Sequence, residues 1–421
     1  MVFAHLGAGA GTGAGWAPCG QLTLAEEGSR LLASSFAYGL NYLRRRDALE
    51  VDPVSLGLAD REAVRGKRLL PANRLTLFGG IRDAAPDAWG RRVILNRKLG
   101  LKGANTDTTT FDELTYLLES GSDRIGALDF QRSPTEYIPR SANKVTLEEL
   151  LASAQRVEQG VPLTSDLDMA LFHGSSIGGA RPKALIEDRD KKYVAKFSSR
   201  ADLYSVVKGE YIAMRLAAMA GLNVAPVKLA TASNKDVLLV ERFDRKKSEH
   251  GWMRKAMVSA LTLFGLDELM ARYASYETLA EIIRHRFVDP NETLAELFSR
   301  LVFNILCGNT DDHARNHAAF WDGKMLSLTP AYDICPQARA GNEASQAMLI
   351  MENNRVSKLS VCLEAAPHYL LSNNNARTIF EKQRATIETH WNDVCEEVKL
   401  SAVDKKLFWK RQFLNPFAFE D

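Results

Sequence analysis

The first 140 positions of the chain mix two kinds of hydrophobic pattern. Short apolar runs at Val2–Leu6 and Gln21–Leu24 predict strands, and apolar residues at helical spacing predict a helix over Ala88–Leu95. A polar stretch at 132–144, which contains two prolines, predicts a boundary. We therefore expect an N-terminal subdomain in which helix and strand are combined.

A clearer order of elements follows between 170 and 245. Apolar runs around polar turns predict two strands, a helix and a third strand, at Ala184–Glu187, Tyr193–Phe197, Ser205–Ala220 and Val237–Val240. Gly221 is a suitable residue to end the helix, since glycine adopts a positive φ without strain. From 256 onward helical patterns dominate, interrupted by a polar loop at 309–316 and a strand-and-turn region at 325–335. A strand-rich part followed by a helical part predicts two lobes with a cleft between them.

Composition excludes several classes of protein. The 421 residues include 54 lysines and arginines against 52 aspartates and glutamates, which argues against a polybasic nucleic-acid binder and against a charged disordered tail. The five cysteines are widely spaced and lack a C-x-x-C motif, which favours free thiols in a reducing compartment. No apolar run reaches the length of about 20 residues that a membrane span needs. We expect a soluble, cytoplasmic protein that does not contact a membrane.

Two glycine-rich segments are candidates for phosphate binding. The first, Gly7–Gly15, fits a relaxed dinucleotide fingerprint, but Trp16–Gly20 after it is turn-like and opens no helix, so a hairpin connection is favoured. The second, His173–Lys183, directly precedes a strand. Its small residues let backbone N–H groups approach phosphate oxygens, and Arg181 and Lys183 add positive charge. A plain tight turn is the alternative for this second segment.

Lys196 lies in the middle of a predicted strand, flanked by apolar residues. A charged group in that position needs a partner if it points inward, and nucleotide phosphates provide one. Glu210 on the following predicted helix is the natural carboxylate to hold this lysine in place. A lysine at the strand edge whose ammonium group reaches water is the alternative.

The polar loop Gly308–His317 has the spacing of a catalytic loop. Asp311 and Asn316 form a D-x-x-x-x-N pattern, in which the aspartate accepts the hydroxyl proton and the asparagine binds magnesium. Asp333, which follows the next apolar run, suits a second magnesium ligand because hard cations take oxygen ligands.

Two other interpretations of this loop are open. His313 and His317 have the spacing of a helical zinc site, but the glutamate of H-E-x-x-H is absent. A purely structural loop, with Asp311 as a cap or turn residue, also explains the pattern when taken alone. The occurrence of the glycine-rich segment, Lys196, Glu210 and Asp333 in kinase order favours phosphoryl transfer.

These residues resemble the HipA-family serine/threonine kinases, the toxin halves of HipBA-type toxin–antitoxin pairs. The similarity extends over nearly the whole chain and rests on ordered segments, namely Pro86–Arg92, Asp123–Leu128, Ser176–Lys183, Glu210–Val224, Val240–Arg245, Gly308–Asn316 and Pro330–Ile334. The resemblance implies an α+β, two-lobed protein-kinase-like fold related to the phosphoinositide kinases. It also implies an N-terminal α/β subdomain at 1–140, a kinase N-lobe at 141–245 and a mostly helical C-lobe at 246–421.

The resemblance further implies residues that bind ATP and Mg²⁺. Asp311 is expected to be the catalytic base, with Asn316 and Asp333 holding magnesium. Lys196 is expected to contact the α- and β-phosphates, and backbone groups of Glu241, Arg242 and Phe243 to contact adenine. The other nucleotide-binding residues are expected to be Gly178, Gly179, Ala180, Arg181, Lys183, Glu210, His313 and Tyr332.

Regulation and partners are implied in the same way. Autophosphorylation of a serine in the glycine-rich loop, Ser176 or the adjacent Ser175, is expected to eject the loop, because a phosphate would repel the nucleotide phosphates. The expected partners are a HipB-like helix-turn-helix antitoxin, operator DNA contacted mainly through that antitoxin, and a protein substrate such as an aminoacyl-tRNA synthetase. The glycine-rich insertion at 7–15 departs from the family pattern and leaves the antitoxin interface open.

Two other functions are open at this point. One is a weakly active, nucleotide-binding regulatory subunit of an antitoxin–DNA repressor complex, and the other is a small-molecule or lipid kinase on the same fold. ATP turnover on a cell extract separates the first from a protein kinase. Phosphate found in a metabolite pool rather than in protein identifies the second.

Overall fold

The N-terminal part of the chain is built on an antiparallel sheet. The computed structural model describes residues 1–7, 15–100, 107, 109–140, 145–163, 181–199, 202, 204–249, 251–339 and 341–420. Within them the first sheet has the strand order β3-β2-β1-β4, with β1 (Val2–His5), β2 (Trp16–Glu27), β3 (Arg30–Tyr38) and β4 (Leu128–Phe130). Between β3 and β4 lie α1 (Leu40–Leu43), α2 (Arg61–Val64), a 3-10 turn (Ala72–Arg74), α3 (Gly79–Asp83), α4 (Ala88–Leu99) and α5 (Glu113–Glu119).

The start of β2 differs from the sequence prediction. Residues Trp16–Gly20 are not a turn but pair with β1, with Pro18 opposite Phe3 beside a shift in register. Such a bulge accommodates Pro18, which has no N–H to donate to the ladder. The turn prediction is therefore wrong. The hairpin connection is confirmed, because β1 and β2 are antiparallel and the N–H of Leu6 donates to the Gly15 carbonyl at 2.9 Å.

A second antiparallel sheet follows α6 (Leu147–Gln159). Its strand order is β5-β6-β8-β7, with β5 (Lys183–Asp188), β6 (Lys191–Phe197), β7 (Val227–Ala232) and β8 (Lys235–Glu241). Helix α7 (Val206–Met219) connects β6 to β7. The strands and the helix predicted here are confirmed, and Gly221 has a φ of +96° just after the helix, as expected of the residue that ends it.

The remaining part is mostly helical, as predicted. A hairpin of β9 (Arg245–Ser248) and β10 (Gly251–Arg254) precedes a small sheet of β11 (Met257–Ser259), β12 (Ala318–Trp321) and β13 (Leu326–Leu328). The helices are α8 (Ala260–Leu263), α9 (Tyr276–Arg286), α10 (Pro290–Cys307), α11 (Leu359–Ala365), α12 (Asn373–Glu397) and α13 (Ala402–Phe408), with 3-10 turns at Ala271–Tyr273, Ala366–Tyr369 and Pro416–Phe419. None of the helices in the described ranges has the length and apolar character needed to span a bilayer.

One hydrophobic core joins the N-terminal part to the second sheet. Trp89 and Val93 of α4 lie in this core with Leu150 of α6 and Ala195 of β6. The indole Nε1 of Trp89 also donates to the carbonyl of Lys183, at 2.9 Å. Helix α4 therefore packs on the second sheet although it lies within residues 1–140. The domain boundaries at 140 and 245 stay predictions.

A buried ionic cluster fastens the N-terminal part to the end of β8. Oδ1 of Asp123 accepts hydrogen bonds from Arg242 at 3.1 Å and from Arg245 at 2.9 Å. Both arginines also donate to Asp244, each at 2.8 Å. Burial alone would raise the pKa of Asp123, but the guanidinium groups hold it well below its usual range. The cluster positions the chain that leaves β8 against the N-terminal part.

Candidate active site

Lys196 lies at the centre of the candidate site. Its Nζ is 2.5 Å from Oε1 of Glu210 and 2.5 Å from Oδ1 of Asp333. Because side chains alternate along a strand, burial of Ala195 and Phe197 in the core of the sheet turns Lys196 to the opposite face. The structure thus brings together Lys196 and the two carboxylates singled out in the sequence.

The three charges of this group influence one another. Burial alone would lower the pKa of Lys196, but Asp333 and Glu210 raise it above its ordinary value. Burial would raise the pKa of Asp333, but Lys196 and then Lys183 hold it well below its usual range. Burial raises the pKa of Glu210, which Lys196 only partly offsets. Asp333 is therefore a charged carboxylate at neutral pH, beside a charged lysine.

Backbone pairing explains how Asp333 reaches Lys196. The N–H of Ala331 donates to the Asn223 carbonyl at 2.8 Å, and the N–H of Ala225 donates to the Ala331 carbonyl at 2.9 Å. These bonds attach the strand-and-turn region to the segment after α7. Asp333 itself has a φ of +60°, a conformation that is uncommon outside glycine and that concentrates at functional sites.

The loop predicted to be catalytic, Gly308–His317, begins where α10 ends. Gly308 ends this helix with a φ of +73°, and a Cβ at this position would lie 2.7 Å from the Gln412 carbonyl oxygen. The next residue, Asn309, is buried and donates through Nδ2 to Oδ1 of Asn304 at 3.0 Å. The first two residues of the loop are therefore fixed against the helix that precedes them.

Two adjacent aspartates of the loop have opposite surroundings. Asp311 is exposed, and its side chain has no hydrogen bond to any other described residue. Burial of part of its carboxyl raises the pKa of Asp311, which His313 opposes. Asp312 is buried and accepts hydrogen bonds from the Tyr276 hydroxyl and from Nε2 of His317, the latter at 2.9 Å. Asp311 is thus available to a substrate, whereas Asp312 holds the loop.

Asn316 and Asp333 have the chemistry of a magnesium site. Nδ2 of Asn316 donates to the Asp311 carbonyl at 3.3 Å. The other polar atom of this side chain, the amide oxygen Oδ1, is then left to bind a metal ion. An amide oxygen and a charged carboxylate are ligands that Mg²⁺ prefers, and this ion commonly completes its shell with waters and phosphate oxygens. The residues present therefore fit Mg²⁺.

The zinc interpretation gains no support. His317 faces Asp312, and Nδ1 of His313 accepts the N–H of Arg315 at 3.3 Å. Across the described ranges, no group of three or more His, Cys, Asp or Glu residues could hold a metal ion.

The segment expected to contact adenine, Glu241–Phe243, lies at the end of β8, and part of its backbone is already hydrogen-bonded within the protein. The N–H of Glu241 donates to the Pro226 carbonyl and the N–H of Arg242 to the Lys192 carbonyl, both at 2.8 Å. Pro226 has no N–H, so it cannot donate in return to the Glu241 carbonyl. The carbonyl of Glu241 and the backbone of Phe243 are therefore the groups through which this segment could contact a base.

Side chains of the same segment have other partners. The Glu241 carboxylate is 2.6 Å from Nζ of Lys191, and Arg242 points into the buried ionic cluster. The ring of Phe243 lies 5.5 Å from that of Tyr332, whose hydroxyl donates to the Arg315 carbonyl at 2.7 Å. Phe243 and Tyr332 thus connect the end of β8 to the catalytic loop.

The glycine-rich loop is only partly described. Ser175, Ser176, Gly178, Gly179 and Ala180 lie outside the described residues, as do 8–14 of the first glycine-rich segment. The loop's two basic residues are described. Arg181 is 2.6 Å from Oδ1 of Asp202, and Lys183 lies opposite Lys196 in the register of β5 and β6. Burial lowers the pKa of Lys183, and Asp87 opposes that effect.

Sequence reasoning missed Asp87. This buried residue begins α4, where its Oδ1 accepts the N–H of Gly90 at 3.1 Å. Burial raises the pKa of Asp87 to about 6, and the charges of Lys183 and Arg315 only partly offset this effect. The only local pattern at this position is a Pro-Asp pair directly before a predicted helix. That pattern indicates a residue that caps the helix, and it does not indicate that the residue lies beside the catalytic loop.

Comparisons with known proteins identify the family of this chain. A family model described as the HipA-like C-terminal domain matches residues 175–391, just over half of the chain. A protein of Sinorhizobium fredii named "Putative kinase Y4mE" is 26% identical over 319 residues, covering 71% of each chain. The serine/threonine-protein kinase toxin HipA of Shewanella oneidensis is 23% identical over 293 residues, covering 62% of this chain and 63% of the relative.

A solved structure shows the same fold. It contains HipA of Shewanella oneidensis MR-1 with HipB and its operator DNA, and it matches 99% of each chain with a TM-score of 0.69 at 18% identity. The predicted α+β fold is confirmed by this match. The family model confirms the family identified from the motifs.

Proposed function

This chain belongs to the family of proteins with a HipA-like C-terminal domain, and we propose that it is an ATP- and Mg²⁺-dependent serine/threonine protein kinase that acts as a toxin. Its relatives named above are kinases, so the predicted class of enzyme is confirmed for the family. The observation that carries the proposal is the joint contact of Lys196 with Glu210 and Asp333. The exposed carboxylate of Asp311 is near enough for the charge of Asp333 to act on it.

The chemistry of phosphoryl transfer explains why this arrangement suffices. Such transfer needs correctly placed charges more than covalent catalysis. In the proposed enzyme Lys196 binds the α- and β-phosphates and Glu210 orients it. Asn316 and Asp333 hold Mg²⁺, which when bound neutralises charge on the phosphates. Asp311 accepts the proton of the serine or threonine hydroxyl.

The other nucleotide contacts follow the same proposal. The Glu241 carbonyl and the Phe243 backbone contact adenine beside the Tyr332 ring. Lys183 is buried next to Lys196, Glu210 and Asp333, which we call the lysine–carboxylate group, and it adds positive charge at the phosphates. The backbone of Gly178–Ala180 covers those phosphates, and Arg181 and His313 lie at the margin of the site.

Regulation and partners are proposed from the resemblance and from the relatives. Phosphorylation of Ser176 or Ser175 would prevent the loop from covering ATP, because a second set of phosphate charges would repel the nucleotide. The Shewanella structure pairs its toxin with HipB and operator DNA, which supports a HipB-like antitoxin and indirect DNA contact for this chain. The proposed substrate is a protein of translation, such as an aminoacyl-tRNA synthetase.

Transfer of labelled phosphate tests the function. The purified chain is incubated with γ-labelled ATP, Mg²⁺ and a cell extract, and the Asp311→Asn variant serves as the control. We expect labelled protein with the wild type and at least 100-fold less with the variant, the usual order of loss when a catalytic group is removed. Label in small molecules or lipids instead of protein, or equal labelling by the variant, contradicts the proposal.

A further inference from the structure

A cleft of about 400 Å³ opens beside the catalytic loop, on the side of the N-terminal part. Arg315 of the loop and Glu268 of the segment after α8 form one wall. The other wall comes from α3, α4 and α5 and carries Arg82, Asp87 and Glu113. Apolar side chains, including Leu31, Leu75 and Leu77, complete the lining.

Three polar atoms in this cleft are buried without a hydrogen-bond partner among the described residues. They are Oδ2 of Asp87, Oε1 of Glu113 and Nε of Arg82. Nε of Arg82 has an ion-pair contact with Oε1 of Glu268 at 3.7 Å, which is too long for a hydrogen bond. Asp87 and Arg82 are each only 9% exposed. Buried polar groups are nearly always hydrogen-bonded, so three such atoms around one cleft indicate a ligand that supplies partners.

The charges in the cleft favour a cationic ligand. The arginines already have partners, since Arg91 is 2.6 Å from Oε2 of Glu113 and Arg82 donates to the Leu266 carbonyl at 2.7 Å. Arg315 lies 3.5 Å from Glu268. Two of the three unpartnered atoms are carboxylate oxygens, which accept hydrogen bonds only. A ligand with a cationic group that has several N–H donors therefore matches the unpartnered carboxylate oxygens of Asp87 and Glu113.

The cleft also lies where a phosphoacceptor must approach. Asp87 is close enough to Lys183 and Arg315 for their charges to act on its carboxyl group. Lys183 is paired in register with Lys196, and Arg315 directly precedes the magnesium-binding Asn316. A segment held in the cleft is thus next to the loop that carries the groups proposed to transfer phosphate.

Resting on the proposed kinase function, we propose that this cleft binds a lysine or arginine side chain of the phosphoacceptor protein. The cationic head lies between Asp87 and Glu113, and the aliphatic stem packs along the leucines, as long basic side chains do on apolar surface. Backbone carbonyls of the same segment are suitable acceptors for Arg82. The enzyme then selects serines or threonines that have a basic residue at a fixed distance along the chain.

A peptide scan tests this specificity. Serine-centred peptides carry one arginine at each position in turn, and KM and kcat are measured for the wild type, Asp87→Asn and Glu113→Gln. We expect one or two positions to lower KM roughly tenfold in the wild type, the effect of a hydrogen bond to a charged group. Both variants should lose that advantage, and for Glu113→Gln kcat and ATP affinity should stay unchanged.

Asp60→Asn is the matched control. Asp60 also caps a helix, accepting the Ala63 N–H at 2.9 Å, but it lies outside the cleft. Asparagine caps helices as well as aspartate does, so neither Asn variant should unfold the chain. If Asp87→Asn nevertheless unfolds, Glu113→Gln decides the question.

Binding without transfer separates this inference from the proposed function. Peptides with alanine in place of serine are titrated into the wild-type chain, with arginine, glutamate or neither at the selected position. Tighter binding of the arginine peptide supports the inference even if no phosphate transfer is detected. Equal binding of all three, tighter binding of the glutamate peptide, or an arginine preference that survives in both variants overturns it and leaves the kinase proposal untouched.

Discussion

The ammonium group of Lys196 is equally close to two carboxylates, 2.5 Å from Asp333 and 2.5 Å from Glu210. The three side chains come from β6, from α7 and from the loop after β13, so they join elements that are distant along the chain. Because the lysine is partly buried and Glu210 is buried, removal of the lysine leaves two acidic groups together without a compensating charge. A change at Lys196 therefore affects phosphate binding and folding stability at once.

Lys196→Ala should reduce phosphate transfer on the order of 100-fold, as expected when a preorganised charge is lost. It should also lower the free energy of unfolding by about 3 kcal/mol, since the buried carboxylate of Glu210 loses its cationic partner. Enzyme assays and urea unfolding measure the two effects. Lys191→Ala is the matched control on the same strand, because its 2.6 Å ion pair with Glu241 is more exposed and should contribute less than about 1 kcal/mol. Similar losses in both variants would contradict the assigned role.

Alanine substitution of the two adjacent aspartates should have opposite effects. Asp311→Ala should abolish transfer and leave the unfolding midpoint unchanged, because the side chain is exposed. Asp312→Ala should lower the free energy of unfolding by about 2 kcal/mol, since the Tyr276 hydroxyl and His317 lose their acceptor. Thermal unfolding and transfer assays on both variants provide the measurement. An unstable Asp311→Ala variant would assign that residue to the structure of the loop.

Asp87 makes stability depend on pH in an unusual direction. Burial raises the pKa of Asp87 to about 6, and Lys183, the Gly90 N–H and Arg315 only partly offset this. Between about pH 4 and 6 the folded chain keeps a proton that the unfolded chain has lost, so this residue makes unfolding easier as pH rises.

Asp87→Asn does not titrate at this position and should remove that dependence. Its free energy of unfolding, relative to the wild type, should increase by up to about 3 kcal/mol across this pH window. Urea unfolding at several pH values measures the difference, and Asp60→Asn should follow the wild type. Parallel profiles for Asp87→Asn and the wild type would show that the carboxyl group titrates normally.

Gly308→Ala should displace the catalytic loop. Alanine is strained at a φ of +73°, and its Cβ would lie 2.7 Å from the Gln412 carbonyl oxygen. We expect a loss of about 2 kcal/mol in unfolding free energy and a clear fall in kcat. Gly57→Ala is the control, because nothing lies within 4 Å of a Cβ placed there. If the two variants behave alike, the close approach of α10 to the Gln412 backbone is not required.

The lysine–carboxylate group could be predicted because its members follow local rules. Lys196 is a charged residue in an apolar strand, Glu210 lies on the next amphipathic helix, and Asp333 follows an apolar run. Each pattern can be recognised within a short segment of the sequence, and the order of these segments along the chain indicates phosphoryl transfer. The hydrogen bonds from Lys196 to Glu210 and Asp333 agree with that expectation.

Other parts of the site depend on contacts that no short window contains. Asp123 meets Arg242 across 119 positions of the chain, and nothing near either residue indicates the other. Asp87 has the local pattern of a helix cap, and only the packing of Trp89 on β5 brings it to the catalytic loop. The strand at Trp16–Gly20 was missed because Pro18 indicates a break unless the bulge beside it in the same strand is known.

The buried cluster of Asp123, Arg242 and Arg245 limits how this chain can be divided. The stretch that the family model matches, 175–391, contains both arginines but neither Asp123 nor the Trp89 that fills the core under β5. A fragment cut at the start of that stretch would carry two desolvated guanidinium groups without Asp123 and an uncovered apolar surface. We therefore expect that the stretch matched by the family model is shorter than the smallest part of this chain that folds by itself.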